Sequence, residues 1–332
     1  MPTTTNNTAT DFTTLQWNDY LKITAYSLLL TIGCFMNFVS FIYFGFKTQR
    51  MKSNYRYFIA HLSFADLLCC LLVPIFTITE IINNGQWVLG SFTCTYINPI
   101  GRLTGITSGW ILCGMTYERY RKFTKPFQPL SKRVIQMYLL LVWIFSLSMS
   151  LSFSFTSLRV QNGQCFLTFT RITQRLNIIK TQIKISIPSI IMIILCLRLK
   201  CFLVKENRRR CKSLNSKFKT DKSEKMVLYS AVSYLVCVLP SLVGNMVVNI
   251  GFMIKSQESY PIYNDIKVWT LIFFFANSVI NVFIYAGRFK DFRKYILEWI
   301  ICLFCVKKWK RKEKTLSSTP VNNLSQEECT EL

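Results

Sequence analysis

Few residues in this sequence are placed where they could do chemistry, and those few lie within long apolar stretches. Asp66 stands inside one such stretch, and the adjacent Glu118 and Arg119 close another. A carboxylate in an apolar layer requires hydrogen-bonding or ionic partners, because an unpaired charge is strongly disfavoured there. An arginine beside a glutamate can rest in an ion pair and be released to contact a partner helix. These residue types favour binding and switching.

The residue patterns that enzymes use do not occur in the sequence. There is no nucleophile–base pair, no phosphate-cradling loop and no cluster of metal ligands, and His61 is the only histidine. The 13 cysteines show no paired CxxC spacings with matching histidines, and most lie in apolar runs, where a free cysteine acts as a small hydrophobe. We therefore do not expect an enzyme.

The composition is typical of a membrane protein. Of the 332 residues, 51% are hydrophobic and only 17% are charged, with a formal net charge of +24. A charge of that size also occurs in nucleic-acid-binding proteins. Here, however, the lysines and arginines form short runs between apolar stretches rather than one basic groove. We expect these runs to face membrane lipids, and we expect no nucleic-acid partner.

Seven apolar runs are long enough to cross a bilayer, which requires a helix of roughly 20 residues. They cover residues 23–46, 57–80, 95–117, 134–157, 178–203, 226–254 and 266–286. The third and seventh runs are interrupted by Arg102, Asn277 and Asn281, as expected of helices that face the interior of a bundle. The predicted fold is an all-α membrane protein with a seven-transmembrane helix bundle.

The charge of the connecting segments predicts the orientation of the bundle. Basic runs follow the first, third, fifth and seventh spans, and the positive-inside rule makes these segments cytoplasmic. We divide the chain into an extracellular tail (1–21), the bundle (22–286), an amphipathic helix (287–301) and a cytoplasmic tail (302–332). The expected location is the plasma membrane, with the N-terminus outside.

The segment after the last span predicts a helix on the membrane surface. Phe289, Phe292, Ile296 and Ile300 recur every three or four residues, with charged residues on the opposite side. Cys302 and Cys305 follow this helix. They are candidates for palmitoylation, and ordinary free thiols are the alternative.

Polar and aromatic residues recur within the spans in a fixed order. They are Asn37, the LSFAD string ending in Asp66, Cys94, Glu118-Arg119-Tyr120, Trp143, Pro188, Cys237-x-x-Pro240, Asn277-Ser278 and Asn281-x-x-x-Tyr285. This ordered set resembles the rhodopsin-like (class A) G-protein-coupled receptor family. The resemblance covers residues 30–300, with Cys94 placed 25 residues before Arg119 as in the family.

The resemblance implies a polar pocket around Asp66. It places Ser108, Asn277 and Asn281 beside the carboxylate, a set of oxygen ligands similar to the sodium pocket of these receptors. The alternative is a hydrogen-bonded polar knot that only holds the helices together. A sodium ion is the sole cofactor that we consider, and the two interpretations stay open at this point.

The resemblance also implies a coupling site and a disulfide. Glu118, Arg119 and Tyr120, together with Asn281 and Tyr285, correspond to residues that act in coupling to a heterotrimeric G protein. Cys94 and Cys165 are the only cysteines that the topology places at or beyond the outer surface, where oxidising conditions favour a bridge.

Four positions depart from the family pattern. Val238 replaces the aromatic residue of helix six, Val282 replaces the kinking proline of helix seven, and Cys196 replaces a tyrosine of helix five. The acid at the base of helix six corresponds to Thr220, with Asp221 adjacent. These departures put the usual activation relay in doubt and leave room for high basal activity or none.

The residues around the family's ligand pocket disfavour two ligand classes. Gly101 stands where amine receptors carry an aspartate, and Phe275 stands where opsins carry the retinal-linking lysine. Positive charge occurs instead at Arg102, Lys180, Lys184 and Lys267, which predicts a ligand with an anionic group, either a small molecule or a peptide. The alternative is that Lys180 and Lys267 extend to the membrane surface and Arg102 pairs with Glu80.

The termini carry short motifs of lower specificity. Asn6 begins a glycosylation sequon on the predicted extracellular tail. The C-terminal residues Thr330-Glu331-Leu332 resemble the tails that PDZ domains bind. Arrestin is a further partner that the family resemblance implies.

The leading hypothesis is therefore a receptor that transmits binding of an extracellular ligand to heterotrimeric G proteins. One alternative keeps the fold without ligand switching, as a constitutively active receptor or a non-coupling decoy or scaffold. A transporter or channel is less favoured, because the two halves of the chain show no self-similarity.

Overall fold

The computed structural model describes residues 15–48, 54–125, 127–161, 164–167, 179–180, 182–214, 222–254 and 260–302. Long helices make up almost all of these ranges. In chain order they are α1 (Trp17–Lys47), α2 (Tyr55–Ile82), α3 (Asn98–Thr124), α4 (Lys132–Ser157), α5 (Ile187–Leu214), α6 (Lys222–Ile254), α7 (Tyr260–Arg288) and α8 (290–302). Each of the first seven contains one of the predicted spans or most of it.

Six of these helices, α1, α2 and α4 to α7, contain a window that is long and apolar enough to cross a membrane. The remaining one, α3, has 27 residues, which is a sufficient length, but its sequence is more polar. Its polar residues Thr104, Thr107 and Ser108 are buried. Because α3 contacts α2, α4, α5 and α6, it is the central helix, and its polar side chains face other helices rather than lipid.

Glycines in α3 allow large side chains to approach the helix backbone. A Cβ atom at Gly109 would lie 2.5 Å from the hydroxyl of Tyr234 on α6. A Cβ atom at Gly105 would lie 2.7 Å from the ring of Phe274 on α7. Within a membrane the hydrophobic effect does not drive helices together. Small residues at such crossings instead allow the helices to approach closely and make van der Waals contacts.

At one end of the bundle, the segment after α4 forms a hairpin. Strand β1 (Leu158–Gln161) pairs antiparallel with β2 (Gln164–Leu167), with Val160 opposite Cys165. A disulfide joins Cys165 to Cys94 in the π-helical turn Thr93–Ile97 that precedes α3. We call this side the disulfide end. Arg119, 25 residues after Cys94 and about 37 Å along a helix, marks the Arg119 end.

At the Arg119 end, α8 packs against the end of α1. Phe292 and Ile296 are buried, whereas Lys290, Arg293 and Lys294 are exposed, which is the predicted amphipathic arrangement. The ring of Phe292 lies 5.0 Å from that of Phe44. The short helix after the last span is therefore present, and its apolar side is partly covered by α1.

Candidate functional site: two polar clusters along α3

The first cluster surrounds Asp66, whose carboxylate is fully buried in the middle of α2. Ser108 on α3 and Ser278 on α7 each donate a hydrogen bond of 2.9 Å to Oδ1. Asn281 on α7 donates to Oδ2 at 3.3 Å. Three neutral donors from two other helices therefore stabilise this buried carboxylate without a positively charged side chain among them.

A small cavity adjoins this cluster on the side of α6. It has a volume of about 10 Å³, which is room for one water molecule or one small ion. Ser108, Asn277 and Ser278 line it, together with Tyr234 and Phe274. The Oδ1 atom of Asn277 is buried and accepts no hydrogen bond from the described residues. Within the described residues, the cavity therefore combines hydroxyl oxygens and an unused amide oxygen close to a carboxylate.

The family resemblance predicts Asn277, and not Ser278, beside the carboxylate. In the structure Ser278 makes the direct hydrogen bond, and Asn277 lines the adjoining cavity. Asn37 on α1 connects to the same region, because its Nδ2 donates to the backbone oxygen of Ser278 at 3.0 Å. Four helices thus meet at this level of the bundle.

The second cluster surrounds Arg119, which is fully buried at the end of α3. Its Nε atom lies 3.2 Å from Oε2 of Glu118, in an ion pair that is almost completely shielded from solvent. The guanidinium also lies 4.4 Å from the ring centroid of Tyr55 at the start of α2. That ring stacks on Phe289, between α7 and α8, at 5.6 Å. Direct contacts with Glu118 and Tyr55 therefore hold the arginine inside, and Phe289 supports the Tyr55 ring.

Two of the four positions that depart from the family pattern are buried, whereas Cys196 is half-buried and Thr220 lies outside the described residues. Val238 on α6 and Val282 on α7 are 1% and 0% exposed. α7 is helical without interruption from Tyr260 to Arg288, so the missing proline leaves this helix continuous. Tyr285 is buried one turn after Val282 and meets Phe44 edge-on at 6.1 Å. These residues form an apolar layer between the two polar clusters.

Other predicted residues have simple surroundings. His61 accepts a hydrogen bond of 3.1 Å from the indole of Trp143, so the only histidine joins α2 to α4. Gly101 is close to α2, since a Cβ atom there would lie 3.0 Å from Val73. An aspartate at this position would therefore require the side chain of Val73 to move slightly.

The predicted cationic ligand residues are only partly described. Lys180 donates to Ser152 on α4 at 3.4 Å, and Lys184 is half-buried in the turn before α5. The side chains of Arg102 and Lys267 lie outside the described part of the structure, as do Asn6, Cys305 and Thr330-Glu331-Leu332. Cys302 is exposed at the end of α8.

A comparison with protein families agrees with this architecture. Residues 37–285 match the family model described as "7 transmembrane receptor (rhodopsin family)". The chain belongs to the rhodopsin family of seven-transmembrane receptors. The match extends from the buried asparagine of α1 to the buried tyrosine of α7, and it includes both polar clusters.

Three characterised relatives show how far the similarity extends. Somatostatin receptor type 5 of Rattus norvegicus is 26% identical over 285 residues, which cover 84% of this chain and 77% of the relative. Tachykinin-like peptides receptor 86C of Drosophila melanogaster is 25% identical over 81% of this chain and 56% of its own length. Trace amine-associated receptor 5 of Pan troglodytes is 28% identical over 83% and 82%. All three are receptors rather than enzymes.

Proposed function

We propose that this rhodopsin-family receptor couples an extracellular ligand to heterotrimeric G proteins, and that coupling occurs at the Arg119 end. The observation that carries the proposal is the complete burial of Arg119 in an ion pair with Glu118, beneath the Tyr55 ring. A buried guanidinium at the end of a central helix can be withdrawn or presented, and it can bind the end of a partner helix when presented.

The contacts of Arg119 define a resting state of moderate stability. The cation–π contact with Tyr55 contributes about 0.5–2 kcal/mol, and the stacking of Tyr55 on Phe289 about 0.5–1.5 kcal/mol. A ligand that binds the alternative state more tightly by a comparable free energy shifts the population between the two states. The two clusters lie on one rigid helix, so a movement of α3 acts on both.

We propose a ligand with an anionic group, bound near the disulfide end. One of the three relatives is named as a receptor for peptides, and the position of the amine-binding aspartate is occupied by Gly101 against Val73. Lys184 lies half-buried near that end, in the turn before α5. The experiment is a dose–response series of carboxylate- and phosphate-containing ligands and acidic peptides on the wild type, Lys184→Ala and Lys200→Ala. Potency should fall for Lys184→Ala and stay unchanged for Lys200→Ala, an exposed lysine 16 residues further along the chain, in the middle of α5.

We also propose that the cavity beside Asp66 binds a sodium ion. The carboxylate, the hydroxyls of Ser108 and Ser278 and the unused Oδ1 of Asn277 are the oxygen ligands that a hard cation prefers. The ion would neutralise the negative charge of the Asp66 carboxylate, which the described hydrogen bonds stabilise without neutralising. Such an ion would join α2, α3 and α7 and so favour one arrangement of these helices.

The proposed orientation places the disulfide end outside the cell and the Arg119 end in the cytoplasm. A disulfide is stable in an oxidising compartment, and the basic segments that follow α1, α3 and α5 belong to the Arg119 end. Glycosylation at Asn6, palmitoylation at Cys302 and Cys305, arrestin binding and PDZ binding through Leu332 all follow from this orientation as further proposals. An epitope tag before Asn6 that antibodies reach on intact cells would support it.

The test of coupling compares three forms of the receptor at matched surface expression across a panel of Gα subtypes. Arg119→Gln removes the buried charge, whereas Lys122→Gln removes an exposed charge from the last turn of the same helix. We expect Arg119→Gln to abolish activation of the responding subtype and Lys122→Gln to retain it. Equal signals from Arg119→Gln and the wild type would contradict the proposal.

A constitutively active or non-coupling receptor remains the second candidate. The buried Val238 and Val282 favour it, since they remove an aromatic residue and a helix kink from the layer between the clusters. High activation without any ligand would support the constitutive form. A wild-type receptor that reaches the surface and activates no subtype, with or without anionic ligands, would support the non-coupling form.

A further inference from the structure

An apolar groove of about 310 Å³ lies in the Arg119 half of the bundle, apart from both polar clusters. Its walls come mainly from α3, α4 and α5, with Phe58 of α2 also in the lining, and include Trp110, Tyr117, Val134, Tyr138, Ile191 and Leu195. The volume is within the range of small-molecule sites, which begins at about 300 Å³. Almost all of the lining is apolar, so an occupant of the inner part must be apolar too.

The groove exists because α4 and α5 both pack against α3 but hardly contact each other. Tyr138 on α4 reaches over Gly114, and its hydroxyl donates to the backbone oxygen of Trp110 at 2.5 Å. This contact fixes α4 to α3 at one wall. Ile191 and Leu195 of α5 form the opposite wall.

The groove opens toward the membrane rather than toward the interior of the bundle. Tyr117 and Val134 belong to its lining and are 42% and 47% exposed on the outer surface of the helices. In a bilayer this surface meets acyl chains, since all seven helices are surrounded by lipid. An acyl chain can therefore enter the groove directly from the surrounding leaflet.

Positive charge surrounds the outer margin of the groove. Arg121 follows Tyr117 by four residues on the same side of α3, and Lys132 and Arg133 directly precede Val134 on α4. Arg198 follows Leu195 by three residues on α5 and is exposed. No aspartate or glutamate occurs between residues 119 and 205. Glu118, which precedes Arg121 on α3, is buried and pairs with Arg119, and the Nε atom of Arg121 donates to the neutral backbone oxygen of Gln128 at 3.2 Å, so the rim keeps its positive charge.

An apolar groove beneath a basic rim matches a molecule with an acyl chain and an anionic head. We propose that the groove binds an anionic glycerophospholipid from the leaflet that surrounds the Arg119 end. One acyl chain lies between Trp110, Val134 and Leu195, and the phosphate contacts the rim formed by Arg121, Lys132, Arg133 and Arg198. Basic residues near an anionic headgroup provide the selectivity, and the groove provides the fixed position. The proposal does not depend on G-protein coupling.

Trp110 offers a direct readout, because brominated acyl chains quench tryptophan emission on contact. The full-length receptor is reconstituted in phosphatidylcholine bilayers with increasing mole fractions of either brominated phosphatidylserine or brominated phosphatidylcholine. The difference in emission between the wild type and Trp110→Phe isolates the signal of Trp110. We expect half-maximal quenching to require a roughly fivefold lower mole fraction of brominated phosphatidylserine than of brominated phosphatidylcholine. This factor corresponds to about 1 kcal/mol from one additional contact between the headgroup and a basic side chain. Equal mole fractions for the two lipids would overturn the proposal, since Trp110 would then meet only unselected surrounding lipid.

One pair of variants and one double variant test the position of the site. Val134→Phe fills the groove, whereas Met137→Phe adds the same ring to α4 at a residue that is 61% exposed and does not line it. We expect Val134→Phe to remove most of the selective quenching and Met137→Phe to leave it unchanged. Equal quenching in these two variants would overturn the groove as the site. In the double variant Lys132→Gln/Arg133→Gln, half-maximal quenching should require equal mole fractions of phosphatidylserine and phosphatidylcholine. An unchanged preference for phosphatidylserine would overturn the role of the rim.

Discussion

Replacing Gly109 with alanine would insert a methyl group where α3 crosses α6. The new Cβ atom would lie 2.5 Å from the hydroxyl oxygen of Tyr234 and 3.2 Å from its Cζ atom. Both distances are shorter than an ordinary van der Waals contact of about 3.5–4.0 Å. Tyr234 is 1% exposed and fully enclosed, so the ring has little room to move away.

The magnitude follows from two opposing effects. Alanine is favoured over glycine within a helix by about 1 kcal/mol, whereas overpacking a filled core costs about 1–3 kcal/mol. Gly287→Ala on α7 serves as the matched control, because no atom lies within 4 Å of a Cβ placed there. The two alanine variants should therefore differ in stability by about 1–3 kcal/mol, with Gly109→Ala the less stable.

Tyr234→Phe supplies the second half of the test. It removes the hydroxyl that is closest to the new methyl group and leaves a nearest distance of 3.2 Å. We expect Gly109→Ala to lower stability much less in the Tyr234→Phe background than in the wild type. The assay is thermal denaturation of the purified receptor in detergent, followed by size-exclusion chromatography of the remaining folded fraction. Equal losses from Gly109→Ala in the Tyr234 and Phe backgrounds would refute the contact.

Three further changes test other parts of the structure. Cys165→Ser opens a covalent link across 71 residues and should lower stability by roughly 4 kcal/mol, seen as loss of surface expression; wild-type levels would contradict this. The wild type should be more stable in sodium chloride than in choline chloride, by about 1.4 kcal/mol when sodium is at ten times its dissociation constant. Asp66→Asn should abolish this difference, and an equal response of both forms would show that the ion does not bind in this pocket. Asn37→Ala leaves the carbonyl of Ser278 without this donor and should lower stability by about 1–3 kcal/mol in the same thermal assay, so an unchanged transition would show that the bond contributes little.

The sequence predicted the helices well, because length and apolar composition determine which segments can cross a bilayer. The third span, residues 95–117, was predicted with the others, although α3 is more polar than the six helices whose composition alone qualifies them to cross a membrane. Its polarity reflects its central position. The hairpin after α4 was missed, although Asn162-Gly163 is the dipeptide most typical of a two-residue hairpin turn and joins the two strands.

The composition of the polar clusters was harder to predict in detail. The family pattern indicated which helices meet at Asp66, but the choice between Asn277 and Ser278 depends on helix rotation and side-chain conformation. The contact of Tyr55 with Arg119 joins residues 64 positions apart and has no local signal in the sequence. Similarly, the lipid groove results from how little α4 and α5 contact each other, which no single segment encodes.

The central claim is that the Arg119 end binds a G protein when the guanidinium leaves its buried position. The most direct measurement is co-purification of the responding nucleotide-free heterotrimer with the receptor, comparing the wild type, Arg119→Gln and Lys122→Gln. The account predicts that the wild type and Lys122→Gln retain the heterotrimer until a GTP analogue is added, and that Arg119→Gln retains none. A complex of Arg119→Gln that is as stable and as nucleotide-sensitive as that of the wild type would contradict it.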